Sequence, residues 1–286
     1  MKTIKALPVS MRNKIEHKEL KQNGYSIHYF TTVDTTKELI VFLHPAFADH
    51  RCFDKQIDYF SRDYSVLTID LLGHGLSKVD KAKEKIDFSI HHIDSIIASE
   101  GYTKAHFVGV SMGTLIAQYY ALNFPDKVLS LTILGGYDIN ADNKEIARAQ
   151  RAENVKWILK ALFSMNSFRK YVSKVSVCRP EQQARFYEMA GLFTRKSFTV
   201  MAGLGKVLQP RTQVKRNYPV LIMSGDKDLE LALRMSKKWH VSEPQSKYVL
   251  MKDAGHCANM DKPEEFNEIV LSFIKQRSKD FIYSAV

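Results

Sequence analysis

Short apolar, β-branched runs alternate with amphipathic stretches along most of the chain. Tyr25-Ser26-Ile27-His28-Tyr29-Phe30 follows the turn signal Asn23-Gly24 and predicts an early strand. Leu39-Ile40-Val41-Phe42-Leu43 is apolar throughout, which predicts a strand covered on both faces. Val66 to Ile69 predicts another. A helix is expected from around Ile86 to Ser99, with Ile90, Ile93, Ile96 and Ile97 on one stripe and Gly101 ending it. His91 and His92 ride on this helix and are expected at the surface. Ala105 to Val110 predicts a strand, Met112 to about Phe124 a helix stopped by Pro125, and Leu129 to Leu134 a further strand. Strand and helix in alternation imply a mostly parallel sheet with helices on both faces.

The alternation breaks after Gly135-Gly136. Residues 138–216 show helical periodicity and no strong strand. Glu145 to Phe163 reads as one long helix with Ile146, Val155, Ile158, Leu159 and Leu162 in the core, and Pro180 and Pro210 punctuate the remainder. Buried strands return at Pro219 to Met223 and at Tyr248 to Met251. A last helix, Glu264 to about Lys275, follows Pro263, a helix-start signal. The expected organisation is an α/β core of residues 1–137 and 217–286, with a helical insertion at 138–216.

The composition, 45% hydrophobic and 26% charged over 286 residues, excludes disordered and fibrous classes. The net charge of +11 is uneven: residues 138–216 hold 16 Lys and Arg against 6 Asp and Glu, a surplus of ten. Such a surplus either solvates a helical face or attracts anions. Zinc-finger spacing and aromatic-glycine RNA motifs are absent from the sequence, so no nucleic-acid partner is expected. Three cysteines, Cys52, Cys178 and Cys257, cannot pair completely and predict free thiols. The apolar stretch Ala6 to Val9 is too short for a signal-peptide core, and no run approaches the roughly 18 apolar residues of a membrane helix. A cytoplasmic protein without stable membrane insertion is expected; its oligomeric state stays open.

The chemistry centres on Gly109-Val110-Ser111-Met112-Gly113, which joins a predicted strand to a predicted helix. This is G-x-S-x-G in the strand-turn-helix setting that lifts a serine Oγ above a sheet. Chance predicts about 0.05 such matches in a chain of this composition. A serine hydroxyl needs a base. His256, in Asp253-Ala254-Gly255-His256, lies between the last strand and the last helix, at the end of the sheet where open α/β folds place their sites. His106 falls inside a strand and reads as structural, whereas His44 and His74 also follow strands. A histidine base needs a carboxylate to orient it. Asp226, Asp228 and Glu230 all follow Met223, and spacing alone leaves the three open. The order Ser, Asp, His is one of the chain orders such a triad takes. The oxyanion would need two backbone donors: the Met112 N–H, and one from His44-Pro45-Ala46-Phe47. Pro45 has no N–H, so Ala46 is preferred and Phe47 is the fallback.

These residues resemble the α/β-hydrolase superfamily. The resemblance spans about Leu39 to Phe273 and rests on five landmarks: His44 to Phe47, Asp70-Leu71-Leu72-Gly73-His74-Gly75-Leu76-Ser77, Gly109 to Gly113, Gly225 to Asp228, and Gly255-His256. It implies an α/β-hydrolase fold with residues 138–216 as a cap. In similar members the acid is the last residue of a G-x-x-D stretch, here Asp228, with Asp138 a minority position. The first landmark usually reads His-Gly, and His44-Pro45 departs from it. The resemblance therefore implies a serine hydrolase with Ser111, Asp228 and His256 as its triad, acting on a small-molecule ester, thioester or lactone. C–C bond hydrolysis, cofactor-free perhydrolysis and a non-catalytic receptor are the alternatives. Similar dehalogenases and epoxide hydrolases use an Asp nucleophile, which Ser111 does not match. Trp157, Phe163, Phe186 and Phe193 are expected, with Phe47, to line an acyl pocket. No metal or organic cofactor is expected: Gly73-His74-Gly75 lacks the third glycine of a dinucleotide loop.

Overall fold

The computed structural model describes residues 15–22, 24–79, 83–141, 144–209 and 216–283, with side chains to 276; Pro210 and the Ala6 to Val9 stretch lie outside these residues. The chain begins with two antiparallel strands, β1 (Glu16–Gln22) and β2 (Tyr25–Thr32). Then come β3 (Leu39–Leu43), α1 (Asp54–Phe60), β4 (Ser65–Ile69), α2 (Ser89–Ser99), β5 (Ala105–Val110), α3 (Met112–Asn123) and β6 (Val128–Leu134). Among the described residues five helices follow without a strand: α4 (Lys144–Phe163), α5 (Met165–Ser176), α6 (Pro180–Ala190), α7 (Ser197–Met201) and α8 (Leu204–Val207). The sheet resumes with β7 (Val220–Gly225), α9 (Glu230–Ser242) and β8 (Lys247–Met251), and the chain closes with α10 (Ala258–Asp261) and α11 (Pro263–Tyr283).

The eight strands form one sheet in the order β1-β2-β4-β3-β5-β6-β7-β8. All pairings from β4 onward across the sheet are parallel, and β2 joins β4 antiparallel. The uninterrupted apolar run of β3 is explained by the two layers it separates. Ile40 and Phe42 pack with Ile57 and Phe60 of α1 and Phe266 and Val270 of α11. Leu39, Val41 and Leu43 pack with Ile93 and Ile97 of α2 and Ile116 and Tyr120 of α3. Period-two alternation thus feeds two cores at once.

Strand order reverses at β3, which has β4 on one side and β5 on the other. In open α/β sheets the crevice at such a switch point is where ligands bind. The segments leaving β3 and β5, namely His44 to Phe47 and Ser111, are therefore neighbours because of the topology.

Three sequence expectations change. The strand expected to be buried at Tyr248 to Met251 forms β8, the edge of the sheet, and of its residues only Met251 is buried while Leu250 is 40% exposed. His92 is 2% exposed, not superficial. Its Nε2 lies 2.9 Å from the Tyr25 hydroxyl, and burial pushes its pKa down to about 4, so it is a neutral core histidine. In α4, Ile146 is buried as expected, but Val155, Ile158, Leu159 and Leu162 are 46% to 62% exposed. The helix has apolar residues on both sides, and the side that packs inward carries Ile146, Trp157 and Ala161. Periodicity finds an apolar stripe but cannot say which of two stripes faces in.

The ends of the helical insertion are tied together. Asp138 and Arg216 form an ion pair at 2.6 Å, both nearly buried. The Arg216 guanidinium also meets Glu243 and lies 5.2 Å over the Trp239 ring.

Candidate active site

Ser111 sits between the last residue of β5 and the first of α3, at φ 52°. A left-handed backbone at a residue other than glycine costs about 1–3 kcal/mol and persists only when its surroundings over-determine it. The surroundings here are two close approaches. A side chain at Gly113 would overlap the Leu43 carbonyl at the end of β3, and one at Gly109 would come within 2.7 Å of the Gly113 backbone. The turn is held from below by the Ser111 N–H, which donates to the Leu134 carbonyl at 2.9 Å. The first N–H groups of a helix have no intrahelical acceptor, and the Met112 N–H stands at the start of α3.

On the neighbouring strand, His44 to Ala48 folds into a tight turn in which the Ala48 N–H donates to the Pro45 carbonyl at 3.3 Å. Phe47 takes φ 70° there and is 4% exposed. Its ring is gripped edge-on by Trp157, Phe168 and Phe193, each with centroids 5.0 Å away, and Phe198 stands at 6.2 Å. Edge-to-face pairs are each worth about 0.5–1.5 kcal/mol beyond burial, enough together to offset the strained backbone. The aromatic cluster joins the helical insertion to the loop that carries Ala46.

His256 follows β8. Its Nδ1 lies 2.9 Å from both carboxylate oxygens of Asp228, whose side chain is 1% exposed. Burial lowers the pKa of His256, but the charge and hydrogen bonds of Asp228 outweigh it, and the net shift is upward. With Nδ1 facing the carboxylate, Nε2 is the ring nitrogen left for proton transfer. The ring packs on β6: a side chain at Gly135, which takes φ 64°, would come within 2.9 Å of the imidazole. Ser111 and His256 thus meet the same Leu134-Gly135 end of β6, one through its backbone and one through its ring.

The other acids are engaged differently. Asp226 accepts a long 3.4 Å bond from the Ala254 N–H, Glu230 opens α9 at the surface, and Asp138 is held by Arg216. His106 is fully buried, with Nδ1 2.7 Å from the Ser130 hydroxyl. His44 accepts the Leu71 N–H at 3.0 Å, and burial depresses its pKa; burial also drives that of His74 to about 3. Both are structural.

Of the expected pocket residues, Phe193 and Trp157 reach Phe47, and Phe186 is fully buried in the same apolar cluster. Phe163 does not: it is 87% exposed, because it ends α4 on the stripe opposite Trp157. Phe168 and Phe198 were not expected at this place. Their only signal is the recurrence of aromatic residues in the insertion, which does not rank them. Asp261 was also unforeseen. It is 1% exposed and accepts the N–H groups of Gly255 at 2.8 Å and of Cys178 and Arg179 at 3.1 Å. It fastens the α5–α6 turn to the residue preceding His256.

Asp49, His50 and Asp70 also converge closely enough to surround a cation. Their donors are already used: Asp49 by Arg51, and Asp70 by the His50 backbone and ring and by the Leu76 N–H. The trio is a loop brace.

Similarity to known proteins agrees with this architecture. A human protein named epoxide hydrolase 4 is 21% identical over 285 residues, covering 91% of this chain and 78% of its own length. A 2-hydroxy-6-oxononadienedioate/2-hydroxy-6-oxononatrienedioate hydrolase from Burkholderia vietnamiensis is 25% identical, covering 87% of this chain and 91% of its own. Among solved structures, one from a study of carboxylesterases of the thaumarchaeon Nitrososphaera gargenis superposes with a TM-score of 0.76 at 18% identity, over 93% of this chain and 100% of that one. The profile of the alpha/beta hydrolase fold family matches residues 38–263, which takes in both halves of the sheet and the helices between them. The chain is therefore an enzyme of the α/β hydrolase fold family.

Proposed function

We propose that the protein is a serine hydrolase that cleaves a small-molecule carboxylic ester, thioester or lactone through Ser111, His256 and Asp228. The observation that carries this reading is the His256–Asp228 pair, a buried carboxylate on both oxygens of which one imidazole nitrogen rests at 2.9 Å. Asp228 fixes the ring and stabilises its protonated form. His256 Nε2 takes the Ser111 proton as Oγ attacks the carbonyl carbon. The Met112 and Ala46 N–H groups hold the oxyanion. His256 then protonates the leaving group, and water activated by His256 releases the acid from the acyl-enzyme. The aromatic cluster around Phe47 favours an apolar acyl group.

The alternative is hydrolysis of a C–C bond by the same three residues. It is supported by the 25% identity to the 2-hydroxy-6-oxononadienedioate/2-hydroxy-6-oxononatrienedioate hydrolase. Epoxide opening is not adopted, despite the human relative's name, because position 111 is Ser and not the Asp nucleophile that reaction uses in similar enzymes. A panel of esters, thioesters, lactones and vinylogous diketones separates the readings. The proposal expects ester or lactone turnover that falls at least about a thousandfold in Ser111→Ala. Turnover confined to the diketones would select the alternative.

A further inference from the structure

The stripe of α4 that faces away from the core is neither polar nor random. Val155, Ile158, Leu159, Leu162 and Phe163 recur at helical spacing and are 55%, 46%, 49%, 62% and 87% exposed. One turn to the N-terminal side, the same stripe continues with exposed Arg151 and Arg148. Of the acids of α4, Glu153 lies off it and pairs with Lys156 and Tyr171, while Glu145, about five turns before Phe163, pairs with Arg234. At the far end the exposed Arg195 donates to the Ala161 and Leu162 carbonyls, which sets a guanidinium beside Leu162. A contiguous exposed apolar surface edged by cations marks an interaction site.

We infer that the outward face of α4 docks on the surface of an anionic lipid bilayer. Its chemistry matches that occupant in both parts: five apolar side chains enter the acyl boundary while Arg148, Arg151 and Arg195 meet lipid phosphates. The surrounding segment, residues 138–216, carries a surplus of ten positive charges, so the long-range field has the same sign. A second copy of the chain would answer the apolar part only and would bring like charges together. Docking of this kind is interfacial; no described helix is long and apolar enough to cross a membrane. The inference does not rest on the catalytic reading.

The test is flotation of the full chain with phosphatidylcholine vesicles, with or without about 30% phosphatidylglycerol. The chain should float with the anionic vesicles, weakly with the neutral ones, and less as salt rises. Leu162→Glu with Phe163→Glu should cut the bound fraction at least about tenfold. Arg148→Gln with Arg151→Gln should remove the preference for anionic lipid. Both pairs are exposed, so circular dichroism should be unchanged, and Ser111→Ala should float like the parent. Absence of flotation, equal binding to neutral vesicles, or a dimer abolished by the two Glu substitutions without vesicle binding would each overturn the proposal.

Discussion

In the proposed mechanism His256 works only as a neutral base, so activity should rise with pH as its ring loses a proton. Asp228 raises that pKa against the effect of burial, and the rising limb of kcat/KM should therefore inflect above 6.5, the ordinary imidazole value. In Asp228→Asn the limb should move to lower pH while kcat falls by at least about a hundredfold, because a neutral amide neither stabilises the imidazolium nor holds the tautomer. Asp226→Asn and Glu230→Gln should leave the limb in place. A pH profile of the three variants decides the assignment, and a shifted limb in Asp226→Asn would transfer the role. Spacing offered three acids with equal claim; the resemblance pointed to Asp228, and the loop geometry after β7 turns that one onto the ring. Asp261 was invisible for a related reason: its three N–H donors come from two segments far apart in the sequence. Asp261→Asn puts an amide N–H among those donors and should lower stability by about 1–3 kcal/mol. A reduced denaturant midpoint at unchanged slope is the expected readout.

Elements were legible where burial leaves one reading, as in strands covered on both faces or helices with a single inward stripe. The strands β3 to β8 and the helices α2, α3 and α11 announce themselves by apolar runs and stripes. β1, Glu-His-Lys-Glu-Leu-Lys-Gln, does not, because an edge strand exposed on most positions is written in charges. α9 buries only Met235, Ser236 and Trp239, too sparse a stripe to register. α4 fails in the opposite way, having two apolar faces. Its consequences are measurable. Trp157→Ala removes an edge-on partner of Phe47 and should cost about 2–4 kcal/mol. Phe163→Ala, at 87% exposure, should change stability by less than about 0.5 kcal/mol. Chemical denaturation of the two variants checks which face is structural, and equal losses would contradict the packing described.

At the scale of the molecule, the reversal of strand order at β3 brings the His44 to Phe47 loop beside Ser111, and the parallel strands β7 and β8 deliver Asp228 and His256 to the same end of the sheet. The insertion reaches that end through a neck closed by Asp138 and Arg216. Arg216→Ala removes the guanidinium from a nearly buried carboxylate that keeps the Asn140 N–H at 3.1 Å, and should destabilise by about 1–3 kcal/mol, read as a lower melting temperature. The alternation of elements and the elbow motif made the core and the strand-to-helix turn at Ser111 legible from the sequence; how the insertion lies on the core depends on aromatic contacts that periodicity does not encode. The central claim is that Ser111 carries the acyl group. Incubation with a fluorophosphonate followed by peptide mass spectrometry tests it most directly. A single phosphonylated site at Ser111, lost in Ser111→Ala and slowed in His256→Ala, is the predicted result. Modification elsewhere, or none in a preparation that still turns over esters, would contradict it.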